Sequence, residues 1–392
     1  MTTSHDIIII GGGVMGSAIA TYLLRDDPSL DLVVVEREPS YERASTTLSD
    51  GNTRIQFNIK ENIQISLYGL DVLATFAEEM AVEGQRPDVG FRRQGNLFLV
   101  DEAGEEEARE ALALQRSLGG EVSWLSADEL PQHYPLLDGS GFVGGTLGHQ
   151  DGTMSPLALL LAYRNKAISL GASYLKAEVD RPLAEAGRIR GVSLKDRTVL
   201  SAPVVVNAAG AWAAQLAERV GVMLPVAPIK RQVTIFNSPV AVDGVLPLLF
   251  FPSGLYVVHE RQGTFTCGRS FADDPHTLDD FSWERKRFEQ RLWPELAEAI
   301  PAFDRLKVNS GWAGLYAVNT LDGNAILGEW PLLKGFYLAN GFSGHGFQQC
   351  HAVGRYIAEL ILDRSPALDL SIFSPQRILD NTPVFESKRR II

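Results

Sequence analysis

The 392-residue sequence predicts an α/β protein of two interleaved domains, one built on a parallel sheet and the other largely antiparallel. Three observations carry this expectation. The chain opens as strand, tight glycine turn and helix in "DIIIIGGGVMGSAIATYLLR". A strand–glycine–helix pattern returns in "VVNAAGAW" and in "GFYLANGFSGHGFQQCHAVGRYIAELILD". Between them, residues 85–148 and 225–314 read as short alternating strands such as "GNLFLVD", "IKRQVTIFN", "GLYVVHE" and "TFTCGRS".

The elements follow in order. "DLVVVERE" is a buried strand, because consecutive β-branched residues suit a strand covered on both faces. "EAGEEEAREALALQRSLG" is a polar helix within the alternating segment. "PLALLLAYRNKAISLGASYLKAEV" returns to helix and then strand. "AGRIRGVSLKDRTVLSAPVVVNAAGAW" is a hairpin, a buried strand and a glycine turn into a helix. One domain is therefore expected from residues 1–85, 149–220 and 315–392, and the other from 86–148 and 221–314.

Composition narrows the function. Hydrophobic content of 45% and charged content of 21% are ordinary for a globular chain. A net charge of −12 argues against nucleic acid, which needs a basic face. The basic cluster "SKRRII" at the C-terminus reads as a solvated tail. Cys267 and Cys350 form no C-x-x-C, so neither a disulfide framework nor a thiolate metal site is expected. The seven histidines show no metal spacing, and no metal is expected. Apolar runs such as "LALLLAY" at 157–163 are too short to span a bilayer. A strand beginning by residue 6 leaves no room for a signal peptide, so the cytoplasm is the expected compartment. No G-x-S-x-G and no P-loop is present.

The strongest motif is G-x-G-x-x-G at Gly11, Gly13 and Gly16, set between a strand and a helix. The glycines permit a tight turn, close approach of a pyrophosphate, and close helix–strand contact. Glu36 lies 20 residues after Gly16, where a carboxylate takes the ribose hydroxyls of an adenosine. An acid there argues against a 2′-phosphate. Near the other end, "NGFSGHGF" puts Gly344, His345 and Gly346 at the mouth of the last long helix, where bare N–H groups can meet a ligand.

Five blocks occur in a fixed order: the glycine motif, "ASTTLSDGNTR", "DGTMSP", "VVNAAGAW" and "NGFSGHGF". Together they resemble the D-amino-acid oxidase family of flavoproteins, nearest its sarcosine-oxidase-like and glycine-oxidase-like branch. The resemblance runs from residue 5 to about residue 375. It implies a Rossmann-like FAD-binding domain interleaved with an antiparallel substrate domain. It implies FAD contacts at Val14, Met15, Arg37, Arg43, Ser45 and Thr46, with Thr53 and Arg54 beside the isoalloxazine. Val179 would meet the adenine through its backbone, and Ala209, Gly210 and Trp212 would pass close to the cofactor. Gly314, Gly344, His345, Gly346, Phe347 and Gln348 would surround the flavin ring, with the helix dipole favouring its anion.

The implied chemistry is oxidation of a C–H next to an amine nitrogen, giving an imine that hydrolyses. The chain departs from the sarcosine-oxidase pattern at four places. Phe57 stands where an arginine grips the substrate carboxylate, and Gln348 where a lysine helps it. Thr266 falls at or near the lysine that promotes reaction with O₂, which leaves oxidase and dehydrogenase both open. Gly314 falls near the cysteine that tethers flavin in some members, so FAD is expected to be non-covalent. Arg231 is a candidate replacement clamp, and equally compatible with a structural role on its strand. Tyr256, His259, Trp312 and Tyr316 are candidates for the active-site wall, and equally for the core. Arg54, Tyr256, His259 and His345 are the catalytic candidates, with His259 the one expected to titrate near neutrality.

Two other readings stay open. A 2-hydroxy-acid dehydrogenase would need a base over the flavin, for which His259 is available. The loop "TTLSDGNTRIQFNIKENIQISLYG" also resembles flavoproteins that assist respiratory complex assembly. The expected partners are thus a small amine or amino acid and O₂ or another acceptor.

Overall fold

The computed structural model describes residues 2–137, 139–240, 242 and 244–386. The basic "SKRRII" tail lies outside the described residues. Among the described residues the chain is mixed α/β, organised around two large sheets.

The first sheet has six strands, in the order Ile326–Glu329, Phe336–Asn340, Val204–Asn207, Ile7–Ile10, Leu32–Glu36 and Ser173–Lys176. All neighbours are parallel except the edge pair Ile326–Glu329 and Phe336–Asn340. The four isoleucines 7–10 are all buried, alternating between two hydrophobic clusters on the two faces. Each fully buried isoleucine stabilises the sheet by about 1.5–3 kcal/mol.

Helix Val14–Asp26 crosses one face of this sheet and packs on the last long helix, Gly346–Ile361. Gly354 sits at that crossing. A Cβ there would stand 2.9 Å from the Ala18 Cβ, so the missing side chain sets the helix separation.

The second sheet has eight strands, in the order Lys307–Asn319, Val226–Asn237, Thr264–Gly268, Tyr256–Arg261, Leu248–Phe250, Asn96–Val100, Gly144–Gly148 and Val122–Ser126. It is antiparallel except where Leu248–Phe250 runs parallel to Asn96–Val100. One face is covered by a cluster containing Phe236, Phe265, Phe288 and Phe303. The other face looks toward the loop that follows Leu32–Glu36, and a cavity lies between them. The strand Lys307–Asn319 runs across the expected boundary at residue 314 and carries the chain from one sheet toward the other.

Among the described residues, no helix is long and apolar enough to cross a membrane.

Candidate active site

A cavity of about 1050 Å³ runs from the carboxyl ends of the parallel strands to the inner face of the second sheet. It lies outside the strand ends of an open α/β sheet, where ligands bind. Its near end is lined by Glu36, Arg37, Val179, Ala209, Gly210 and Trp212. Its middle is lined by Gly11, Gly13, Val14, Met15, Arg43, Ser45 and Thr46. Its far end is lined by Asp50, Arg231, Tyr256, Gly314, Tyr316, Gly344, Gly346 and Phe347.

The near end and the glycine turn beside it have the shape and donors that suit an adenosine diphosphate moiety. Gly11 has φ +99°, and a Cβ there would stand 2.6 Å from the Ala208 carbonyl oxygen. Gly16 does not line the cavity; a Cβ there would collide with the Gly11 carbonyl, so it serves the turn itself. Gly13 has open space instead, with only Thr46 Oγ1 at 3.4 Å, which keeps bare backbone facing the cavity at the helix N-terminus. Glu36 Oε2 accepts the Gly12 N–H and Oε1 accepts the Glu38 N–H, each at 2.8 Å. Both oxygens keep a lone pair for a ribose hydroxyl. The Arg37 guanidinium stacks 3.7 Å from the centroid of Trp212, fixing that aromatic at the cavity edge. These donors and this glycine cradle fit FAD.

The far end is organised by the loop 50–57. Gly51, at φ +70°, turns the chain against Met154. Residues Asn52–Thr53 pair with Gly152–Thr153. Asp151 then accepts the Ile55 N–H at 2.9 Å and Gln56 Nε2 at 3.0 Å. Burial pushes the Asp151 carboxyl up to about 6. Thr53 is buried in this support and does not line the cavity.

Arg54 projects into an aromatic box just beyond the cavity wall. Its guanidinium carbon lies 4.8, 5.3 and 5.4 Å from the rings of Phe57, Phe98 and Phe250. Its Nη2 donates to His345 Nε2 at 3.1 Å, and its Nε has no partner. Burial lowers the Arg54 pKa to about 10. Burial, and then the charge of Arg54, lower His345 to about 3, so the imidazole is neutral. Phe57 meets His345 edge-on at 5.2 Å.

The structure corrects His259. Along Tyr256–Arg261 the side chains alternate, so Tyr256 faces the cavity and His259 the opposite face. There His259 stacks on Phe265 at 4.7 Å and accepts the Leu246 N–H at Nδ1. Burial lowers its pKa below the ordinary histidine value. It does not stand over the cavity. Arg231 lines the cavity, but Asp274 already engages its guanidinium, and that carboxylate also holds Arg287. Trp312 lies just outside the lining, donating from Nε1 to the Leu48 carbonyl at 2.9 Å. Tyr316 fills the space that Gly344 leaves, where a Cβ would meet its ring. Gln348 lies behind the wall and accepts the Arg54 N–H.

Sequence reasoning missed Asp50. It lines the far end, accepts the Tyr256 hydroxyl at 2.6 Å, and has Thr266 Oγ1 at 3.5 Å. It stood within a block singled out for other residues, and nothing in the local pattern separates it from a loop aspartate.

The FAD dependent oxidoreductase pattern of the D-amino-acid oxidase group matches residues 6–360. The chain belongs to the FAD-dependent oxidoreductase family. FAD-dependent oxidoreductase domain-containing protein 1 of Xenopus laevis is 36% identical over 97% of this chain and 84% of that protein. Glycine oxidase of Geobacillus kaustophilus is 27% identical over 96% of this chain and 98% of that protein. Among solved structures, L-proline dehydrogenase from P. horikoshii superposes with a TM-score of 0.86 at 26% identity, covering 98% of this chain and 100% of that one. Family membership makes FAD the cofactor of this protein, and the residues of this cavity fit it. Glu36 would hold its ribose, the glycine turn its pyrophosphate, and Gly344, Gly346 and Phe347 the ring end.

Proposed function

We propose that this enzyme oxidises the C–H next to the nitrogen of an amino acid or N-alkyl amino acid, with the substrate carboxylate held by Arg54. The single observation that carries the reading is the state of that arginine. It is 8% exposed and boxed by three phenyl rings, and among the described residues it makes no contact ion pair, the Asp151 and Glu386 carboxylates acting on it only from further off. A buried guanidinium whose nearby carboxylates do not contact it is costly to hold, so a contacting anion is favoured there. Arg54 then replaces the clamp lost at Phe57 and Gln348.

Bound FAD supplies the two-electron acceptor for the C–H hydride. The chain's part is positioning. Arg54 fixes one end of the substrate, and neutral His345 holds the guanidinium in place without competing for the anion. Phe57, Phe98 and Phe250 keep water from the ion pair. The N-terminus of Gly346–Ile361 directs its positive end at the cavity, where it favours negative charge. Holding the reacting atoms about 3–3.5 Å apart is the main requirement of such a transfer. The relatives named glycine oxidase and L-proline dehydrogenase support this substrate class. The 2-hydroxy-acid reading loses its histidine, because His259 faces the other way.

The test is anaerobic bleaching of the flavin's visible band by L-proline, glycine and N-methylglycine, beside amines that lack a carboxylate. We expect bleaching by amino acids, and loss of about 10²–10³ in kcat/KM on Arg54→Met, from truncating a buried charge partner. Equal bleaching by amines without a carboxylate overturns the assignment of Arg54.

A further inference from the structure

The far end of the cavity carries a second charged group that the reading above does not use. Asp50 and Arg54 lie on one loop, on either side of the short pairing of Asn52–Thr53 with Gly152–Thr153. Asp50, Tyr316 and Arg231 line the same end of the cavity, and Arg54 stands just beyond its wall. The loop therefore carries a negative group on the cavity lining and a positive one just beyond the wall. Asp50 is only partly engaged: Oδ2 accepts the Tyr256 hydroxyl at 2.6 Å, while Oδ1 has only Thr266 Oγ1, at 3.5 Å. No ion pair to Asp50 occurs among the described residues.

We propose that Asp50 receives the ammonium group of the substrate and accepts its proton, so that the enzyme takes amino-acid zwitterions directly. This rests on the amine reading of the site. In the step, one N–H bond of the ammonium breaks and its electron pair stays on nitrogen. The proton passes to Asp50 Oδ1, forming an O–H bond. No oxidant enters this step, and the neutral amine it leaves is the form whose C–H can be oxidised.

The surroundings suit the role. Tyr256 faces Asp50 from its own strand and Thr266 from the neighbouring one, with Tyr316 also on the cavity lining and Cys267 turned into the opposite core. Burial raises the Tyr256 and Tyr316 phenols and the Cys267 thiol, so all three are neutral. The Glu260 charge, itself paired with Arg92, adds to the rise of Asp50, and Arg231 lines the cavity 5.6 Å from the Tyr316 ring centroid with Asp274 on its guanidinium. Desolvation raises the Asp50 carboxyl to about 6, while the Tyr256 hydrogen bond opposes that rise. Asp50 is thus ionised at neutral pH and basic enough to hold a proton briefly.

The experiment uses the FAD-loaded enzyme with L-proline as the zwitterion. Cyclopentanecarboxylate serves as an anion of similar shape without the ammonium. Binding is read from perturbation of the flavin spectrum, and the reaction from anaerobic bleaching across pH. We expect wild-type bleaching to fall as pH drops through about 6. In Asp50→Asn, bleaching near neutral pH should fall by about 10²–10⁴-fold, the usual worth of a positioned base. That variant should then gain about tenfold per pH unit as free amine accumulates, while still binding cyclopentanecarboxylate. Tyr256→Phe, which removes the hydrogen bond that lowers Asp50, should move the acid limb to higher pH.

An Asp50→Asn profile parallel to wild type overturns the role of Asp50 and leaves the amine reading intact. If Asp50→Asn does not retain flavin, an acid limb unmoved in Tyr256→Phe overturns it instead. A wild-type enzyme that binds neither compound, and that no amino acid bleaches, overturns the amine reading itself.

Discussion

Gln348 accepts the backbone N–H of Arg54 at 2.7 Å, tying the first turn of the last long helix to the loop that carries the buried guanidinium. Both residues are buried. Where the resemblance expects a lysine, this chain has an amide that reaches backbone rather than substrate. We expect Gln348→Leu to leave the Arg54 N–H unsatisfied, costing about 1–3 kcal/mol in urea unfolding. It should also raise KM for amino acids more than it lowers kcat. A variant as stable as wild type with an unchanged KM would mean the bond does not position the loop.

The glycine turn gives a second prediction. Gly16→Ala would drive a methyl into the Gly11 carbonyl, and Gly11→Ala would add a strained positive φ to a 2.6 Å approach. Both variants should purify with flavin far below one per chain. Gly13→Ala meets only Thr46 Oγ1 at 3.4 Å, so without flavin it should fold like wild type and fail mainly in flavin retention. Comparison of melting curves with and without added FAD separates the two effects.

Glu36 offers a third. Its carboxylate organises the Gly12 and Glu38 N–H groups and faces the cavity. Charge-assisted hydrogen bonds are worth about 1.5–3 kcal/mol each. Glu36→Gln should weaken FAD binding by about 10–100-fold, measured by equilibrium dialysis, with the fold retained.

The flavin should leave the protein intact on denaturation. Gly314 supplies no thiol, its Cβ position meets Leu48 at 3.0 Å, and Cys267 and Cys350 are buried without lining the cavity. Acid or detergent should release all yellow colour from the chain. Fluorescence remaining on the denatured polypeptide would show a covalent bond.

His351 predicts a pH dependence of stability. It is 1% exposed, its Nδ1 lies 2.6 Å from the Tyr163 hydroxyl, and burial lowers it to about 3. An unfolded histidine takes up its proton near 6.5. Because the folded value is depressed, the stability this residue contributes is present above about 6.5 and is lost as pH falls toward about 3. His351→Gln should therefore flatten the fall in unfolding free energy below about pH 6 by roughly 1.4 kcal/mol per pH unit. Asp50 and Asp151, both raised to about 6, act with the opposite sign: their contribution is complete below the unfolded carboxylate value and is lost as pH rises through about 6. Both variants share that background, so the difference between them isolates the histidine. Parallel curves would show that His351 is protonated in the folded protein.

Much of the fold was legible because its signals are local. Four consecutive isoleucines, a glycine turn and a helix are neighbours in sequence, and backbone sterics give each glycine of that turn a reason. Glu36 follows at a fixed spacing because one helix and one strand separate it from the turn. The helix mouth at Gly344–Phe347 was readable for the same reason. By itself, the sequence determined an α/β dinucleotide-binding fold with a glycine-rich entry at each end of the cofactor. Only the tertiary structure decided which side chains meet beside it. Strand alternation sent Tyr256 to the cavity and His259, three residues on, into the opposite core. Asp274, 43 residues after Arg231, neutralised the expected clamp, while Arg54 was left charged and without an ion pair among the described residues. Charge and burial are sums over neighbours far apart in the chain, so the pairing of Asp50 with Tyr256, 206 residues away, has no local signature.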